Sequence, residues 1–316
     1  MTFVHGIVLG GVQIGAVALV APLFSGIVRK GKARLQQRSG PPLLQQYWDL
    51  RKWWSRAEQS SATTSYVHGL APFVVLGATV AALLLVPFVS AQAALDTEGD
   101  LFVLIGLLAV ARAAITLGAM DSGATFGQMG SSREVAVSAL IEPLLVLALA
   151  APAVAAHSSR LADIAAYGDA RGVSVLTLGW LLAAAAFLVV LVAETGRIPV
   201  DNPDTHLELT MIHEAMLIEY SGRRLGVLHF AAMIRQMLLA LLFVNVFFPF
   251  GLSVDPHFGD YALAAVLVPG KLLFVAAGFV AVEMLYAKMR FFELPGLLGT
   301  SILVAGAGVV VTVVLA

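Results

Sequence analysis

The chain has 316 residues, 59% of them hydrophobic and 12% charged, with a formal charge of −1 and a mean hydropathy of +0.89. That composition excludes an ordinary soluble domain and asks for a membrane solvent. There is no cysteine, so the chain cannot supply the thiolates of an iron–sulfur cluster or a nickel–iron centre, and it forms no disulfide.

Apolar runs of ~20 residues cross a ~30 Å hydrocarbon core as helices, and lipid offers no partner to an open sheet edge. The expectation is an all-α polytopic membrane protein of about eight transmembrane helices, one integral membrane domain over residues 1–316. The spans predicted are 3–28, 66–90, 101–120, 134–156, 173–194, 228–250, 261–283 and 296–316. The first has no basic region before it and no clear cleavage site, so it reads as a retained span.

Residues 29–60 follow the first span. Gly40-Pro41-Pro42 breaks the chain, and Leu43, Leu44, Tyr47, Leu50, Trp53 and Trp54 then recur at helical spacing among Arg51, Lys52 and Arg56. This reads as an amphipathic helix in the headgroup layer. It is either a plain anchor or the wall of a cavity or docking site, with Arg34, Gln45, Tyr47 and Trp53 as candidate residues.

The 118–133 connection, rich in Gly and Ser, reads as a flexible turn in which Ser131 or Ser132 caps a helix beginning at Arg133. Glu142 then falls about two turns into the fourth span, where a carboxylate is expensive unless it faces a wet cavity or a partner. The same holds for Arg112, Arg235, Lys271 and Glu283. Arg112 or Arg235 could serve only to neutralise Glu142 or Glu283, but five such charges in one small bundle favour a polar track.

Basic residues set the expected orientation. Eight Lys/Arg follow span one, one (Arg133) follows span three, three (Arg197, Arg223, Arg224) follow span five and two (Lys288, Arg290) follow span seven. The opposite connections hold only Arg160 and Arg171. By the positive-inside rule the odd loops are cytoplasmic and both termini face outward.

Between two membrane-length apolar runs lies ETGRIPVDNPDTHLELTMIHEAMLIEYSGRR (194–224), with six carboxylates: Glu194, Asp201, Asp204, Glu208, Glu214 and Glu219. Pro199 and Pro203 disfavour continuing the fifth span. Asp201 or Asn202 is then expected to cap a helix over 203–219, closed by Ser221-Gly222 with Arg223 and Arg224 at its negative pole. His206-Leu207-Glu208 and His213-Glu214 do not complete a zincin HExxH, so no metal is expected. What remains is a row of proton-binding groups suited to a proton relay or a quinone head-group site.

ETGRIPVDNPDTHLEL…EYSG resembles the loop after the fifth span in the heel subunit (subunit 1) of respiratory complex I, the NADH–quinone oxidoreductase. The fuller THLELTMIHEAMLIEYSG is similar to the homologous membrane subunit of group 4 nickel–iron hydrogenases of the hydrogenase-4 and formate hydrogenlyase type. KARLQQRSGPPLLQQYWDLRK (32–52) and MDSGATFGQMGSSREVAVSALIEP (120–143) resemble that family's first two cytoplasmic loops. The resemblance implies a subunit of a prokaryotic cytoplasmic (inner) membrane that anchors a peripheral redox arm to antiporter-like, proton-pumping subunits. It implies hydrogenase-like large and small subunits and Fe–S subunits as partners, with the [NiFe] centre and Fe–S clusters in those partners and none in this chain. Nucleic acid is not among the expected partners. Carried over by motif, Glu194, Asp201, Glu208 and Glu219 are the coupling acids of loop five, and Glu142, with Arg133 before it, begins the path inward. Three extra residues between Glu208 and Glu219, and GPP where complex I has glycine–proline–asparagine, point to the hydrogenase branch. A quinone-binding heel subunit and a purely structural anchor are the alternatives.

Overall fold

The computed structural model describes residues 3–59, 61, 63–91, 93–95, 100–201, 211–252 and 258–315. The elements among them are helical: α1 (Phe3–Leu35), α2 (Gln45–Trp54), α3 (Tyr66–Leu85), α4 (Leu101–Asp121), α5 (Thr125–Ala156), α6 (Leu161–Arg171), α7 (Leu178–Glu194), α8 (His213–Leu217), α9 (Gly222–Phe247), α10 (Phe258–Leu285) and α11 (Leu294–Leu315). Among the described residues seven helices are long and apolar enough to cross a membrane, α1, α3, α4, α5, α9, α10 and the α11 region. The eighth expected span is α7, which has 17 residues, at the short end of what spans a bilayer. A bend of 115° sets it against the α6 segment before it.

α9 is the central helix. Its second half is apolar apart from Gln236 and Asn245, and every side chain from Gln236 to Phe247 is buried, as a segment apolar on nearly all faces requires. Phe243 and Phe247 pack on Phe187 of α7, and Trp180 donates its indole N–H to the Phe247 carbonyl at 3.1 Å. The outer helices reverse the pattern: Phe274 of α10 and Leu303 of α11 point outward, largely exposed. An apolar exterior suits lipid.

The two ends of the bundle differ. At one end sit α2, α8, the start of α3, α5 and α9, and the finish of α1, α4, α7 and α10. The Asp121 carboxylate there closes the α3 N-terminus, accepting from the backbone N–H groups of Ser65 (2.7 Å) and His68 (3.2 Å). At the far end α6 clamps the turn after α9. Asp169 accepts from the N–H groups of Gly251 and Leu252, and Gly168 lies so close to Pro249 that a Cβ would stand 2.4 Å from its Cγ.

Several boundaries depart from sequence expectation. α1 runs seven residues past Val28 into the basic stretch, and α3 stops at Leu85. α6 fills a connection expected to be irregular; its Leu161, Ile164, Ala165 and Gly168 repeat at helical spacing and are buried. α5 begins at Thr125, so Ser131 and Ser132 lie inside the helix and cap nothing. Ser131 instead donates to the Thr116 carbonyl of α4, and the turn is only Ser122-Gly123-Ala124, with Gly123 at φ +70°. Asp204, Glu208 and residues 203–210 of the expected 203–219 helix lie outside the described residues. Met211 and Ile212 are not helical, so that helix is not continuous; α8 starts at His213. Ser221-Gly222 opens α9 and does not close the preceding helix, and Arg224 in its first turn pairs with Glu58 at 3.2 Å.

Gly130 is where α5 meets α8: a Cβ there would stand 2.9 Å from the Ala215 Cβ and 3.0 Å from the Ile212 carbonyl. Alanine favours an ordinary helix over glycine by about 1 kcal/mol, but overpacking costs about 1–3 kcal/mol. Gly130→Ala is therefore expected to lower the unfolding temperature in detergent, whereas Gly106→Ala on α4, whose Cβ meets nothing within 4 Å, leaves it unchanged or raises it.

Candidate functional site: a buried arginine and its carboxylates

Three helices deliver the first group of charges. Arg112 lies in the middle of α4, buried, and makes contact with three carboxylates from two other helices. Its Nη1 donates to Glu142 of α5 at 2.7 Å, its Nε lies 3.5 Å from Glu134 of α5, and its Nη2 donates to Glu194, the last residue of α7. Glu134 and Glu194 side chains are 6% and 3% exposed, while that of Glu142 is 42% exposed. Glu142 is therefore the member that opens toward the outside of the bundle. With all four ionised the group carries a formal charge of −2, in surroundings where an unbalanced charge is costly.

Glu134 leads on to the acidic segment. Its second oxygen is 3.5 Å from Nε2 of His213, whose Nδ1 is 3.6 Å from Asp201. Burial alone would pull the His213 imidazole down, but Glu134 and Asp201 outweigh burial and the opposing Arg235, and hold it above its ordinary 6.5. The stability this ring contributes is thus fully present below about 6.5 and is lost as pH rises through its folded-state value. Asp201, 2% exposed, accepts from the N–H groups of Ile212 (3.2 Å) and His213 (3.1 Å) and faces Lys288 at 3.8 Å. The helix that Asp201 is expected to cap starts at 203, outside the described residues; among the described residues Asp201 holds the start of α8. Arg133 reaches the same place, donating to the Met211 carbonyl at 3.2 Å.

A second group lies nearby. Glu283 near the end of α10 is bound by Arg197 and, at 3.2 Å, by Lys32 of α1. Two adjoining cavities connect the groups. One, of about 120 Å³, is lined by Glu134, Asp201, His213, Glu214 and Arg235. The other, of about 140 Å³ between α1, α2, α9 and α10, is lined by Lys32, Arg197, Glu214, Arg235 and Glu283. At ~30 Å³ per water the first has room for about four.

The residues singled out in sequence thus divide. Glu142, Glu194, Asp201, Glu283, Arg112, Arg133 and Arg197 join the two charge groups, and Glu214 and Arg235 line the cavities between them. Glu219 is half-buried and joins neither group. Lys271 lies at the far end, donating to the Phe250 carbonyl at 2.6 Å. On α2, Trp53 stacks on His229 at 4.2 Å and lines the second cavity with Gln46. Tyr47 donates to the Leu19 carbonyl, Gln45 bonds Asp49 within its own helix, and Arg34 is exposed. Sequence reasoning missed Glu134, Lys32 and Lys288. Glu134 had a readable signal: eight residues before Glu142, it lies about 80° from it around a helix.

Residues 9–314 match the family described as NADH dehydrogenase. The chain belongs to that family. Within it, the chain is similar to formate hydrogenlyase subunit 4 of Escherichia coli K12, 33% identical over 273 residues (86% of this chain, 87% of the relative). It is also similar to hydrogenase-4 component C of the same organism, 31% identical over 281 residues (86% and 85%). An NADH-quinone oxidoreductase subunit of Salinibacter ruber is 26% identical over 247 residues (74% and 70%). The fold matches a chain of the membrane-bound sulfane sulfur reductase, an archaeal respiratory membrane complex, with a TM-score of 0.83 and 23% identity over 98% of this chain and 99% of that one. The resemblance carried by loop five and the first two loops is thereby established, as is a multi-pass membrane subunit related to components of multisubunit respiratory complexes.

Within this family member, removing one partner of a buried ion group leaves the others uncompensated, at a cost of about 3–5 kcal/mol. Arg112→Met is expected to destabilise the chain by that amount, read as a fall in unfolding temperature in detergent; a change below about 1 kcal/mol would show that Arg112 balances nothing.

Proposed function

We propose that this chain is the membrane-anchoring and proton-coupling subunit of a group 4 hydrogenase or formate hydrogenlyase-like assembly related to complex I. Redox chemistry in a peripheral arm shifts loop five, and the carboxylates beneath it pass protons toward antiporter-like membrane subunits. One observation carries the reading: a single buried arginine shared by three carboxylates, joined through Glu134 and His213 to loop five. A plain anchor gains nothing from such a group, because apolar side chains would hold the bundle as well. The charge excess of −2 suits a path for cations, with Glu142 at its outer opening and Glu194 and Glu134 within.

The absence of cysteine supports assigning the [NiFe] centre and Fe–S clusters to hydrogenase-like large and small subunits and Fe–S subunits, with no cofactor held here. The clustering of basic residues at the end of the bundle that carries loop five supports an orientation with that end in the cytoplasm of a prokaryotic cell and both termini outside. A second reading is favoured by the cavity between α1, α2 and α9. Its Trp53–His229 stack and its position behind an amphipathic helix would suit a quinone head group entering from the membrane.

In vesicles carrying the assembled complex, Glu142→Gln is expected to abolish proton translocation while the complex stays assembled; normal pumping would overturn the relay. In the same vesicles a quinone-site inhibitor is expected to leave electron transfer intact, and inhibition would shift the reading to the quinone-binding heel.

A further inference from the structure

One ring stands between loop five and the arginine group. His213 has a carboxylate on each nitrogen, Glu134 3.5 Å from Nε2 and Asp201 3.6 Å from Nδ1, and both carboxylates are almost fully buried. Nδ1 makes no hydrogen bond among the described residues. Both gaps are a few tenths of an ångström beyond a hydrogen bond, and the adjoining cavity, which the ring lines, gives it room to move. The slot is cut to the ring: Gly196, at φ +59°, leaves space where a Cβ would stand 3.0 Å from Nδ1. Imidazole is the side chain that takes a proton at one nitrogen and releases one at the other near neutral pH.

We propose that His213 is the proton-transfer residue between Asp201 and Glu134, an inference that deepens the coupling role above and rests on it. A proton on Asp201 passes to Nδ1, which restores the carboxylate and makes the ring an imidazolium. The Nε2 proton then passes to Glu134, leaving a neutral ring with its proton on Nδ1. The first tautomer returns when water in the adjoining cavity takes the Nδ1 proton and delivers one to Nε2, and no electron moves in this chain. Among the described residues, the groups facing the ring are Glu134 from α5, Asp201 from the segment after α7, Glu214 beside it on α8 and Arg235 from α9. Lys288 faces Asp201 and Arg112 faces Glu134. His213 and Asp201 both belong to loop five, so movement of the loop changes the gap between the ring and Glu134, which stays fixed on α5. The ring is therefore placed to make transfer depend on the position of the loop.

The test uses the intact complex in proteoliposomes and reads protons translocated per electron for wild type, His213→Gln and Glu142→Gln. His213→Gln is expected to lower the ratio at least about tenfold, with partial restoration by added imidazole. A loss that imidazole does not restore would make His213 a structural residue and overturn the inference. A normal ratio in His213→Gln beside a failed Glu142→Gln would overturn it while leaving the coupling role standing. Normal ratios in both would overturn the coupling role itself. If the His213→Gln complex does not assemble, the wild-type complex carrying ring-labelled histidine supplies the readout. Its redox-driven infrared difference spectrum is expected to show imidazole–imidazolium bands, and a spectrum without them would overturn the inference.

Discussion

The guanidinium of Arg112 holds three carboxylates from two helices besides its own, inside a bundle whose core is predominantly apolar. A buried ion group of this kind is weak evidence for stability, since well-packed apolar side chains of similar volume do as well or better. Its effect is positional. Three directional contacts fix α4, α5 and the last turn of α7 against one another at the level where loop five leaves the bundle. The contacts of α5 with α4 reinforce this through Ser131 and the Thr116 carbonyl.

Loop five rests on that platform through apolar and polar contacts together: Met216 and Tyr220 cluster with Ile115, Ala119 and Leu228, and Val200 and Ile212 join the main core. Within five residues of α5, Gly130 admits α8, Arg133 binds the Met211 carbonyl and Glu134 faces His213. On the other side, Asp201 holds the first residues of α8, and Pro199 accepts from the Met289 N–H at 3.0 Å, tying the segment to the α10–α11 connection.

Much of this was legible in the sequence. Runs of about 20 apolar residues admit few alternatives to helices in lipid, and Arg112, Glu142 and Glu194 stood out because each interrupts or ends such a run. The basic end of the bundle could be read from the Lys/Arg distribution alone. Glu134 was hidden because Ser131-Ser132-Arg133 obeys the local rules for a helix start. In the structure the helix continues through them, with Ser131 bonded to the Thr116 carbonyl of α4. α6 was hidden because Asp163, Asp169, Arg160 and Arg171 make its surroundings resemble a loop. Loop five was misread for a related reason: Asp201 caps a helix eleven residues further on, a contact that no rule of local spacing reveals.

The central claim is that the group around Arg112 is kept for its charge and at a cost in stability. Its most direct test is the unfolding free energy of the quadruple variant Arg112→Met, Glu134→Gln, Glu142→Gln, Glu194→Gln, set against Arg112→Met alone. Because neutral amides leave no uncompensated charge, the quadruple variant should recover most of the stability lost by the single one, with strong non-additivity. A quadruple variant less stable than Arg112→Met by the sum of the individual amide substitutions would contradict the account.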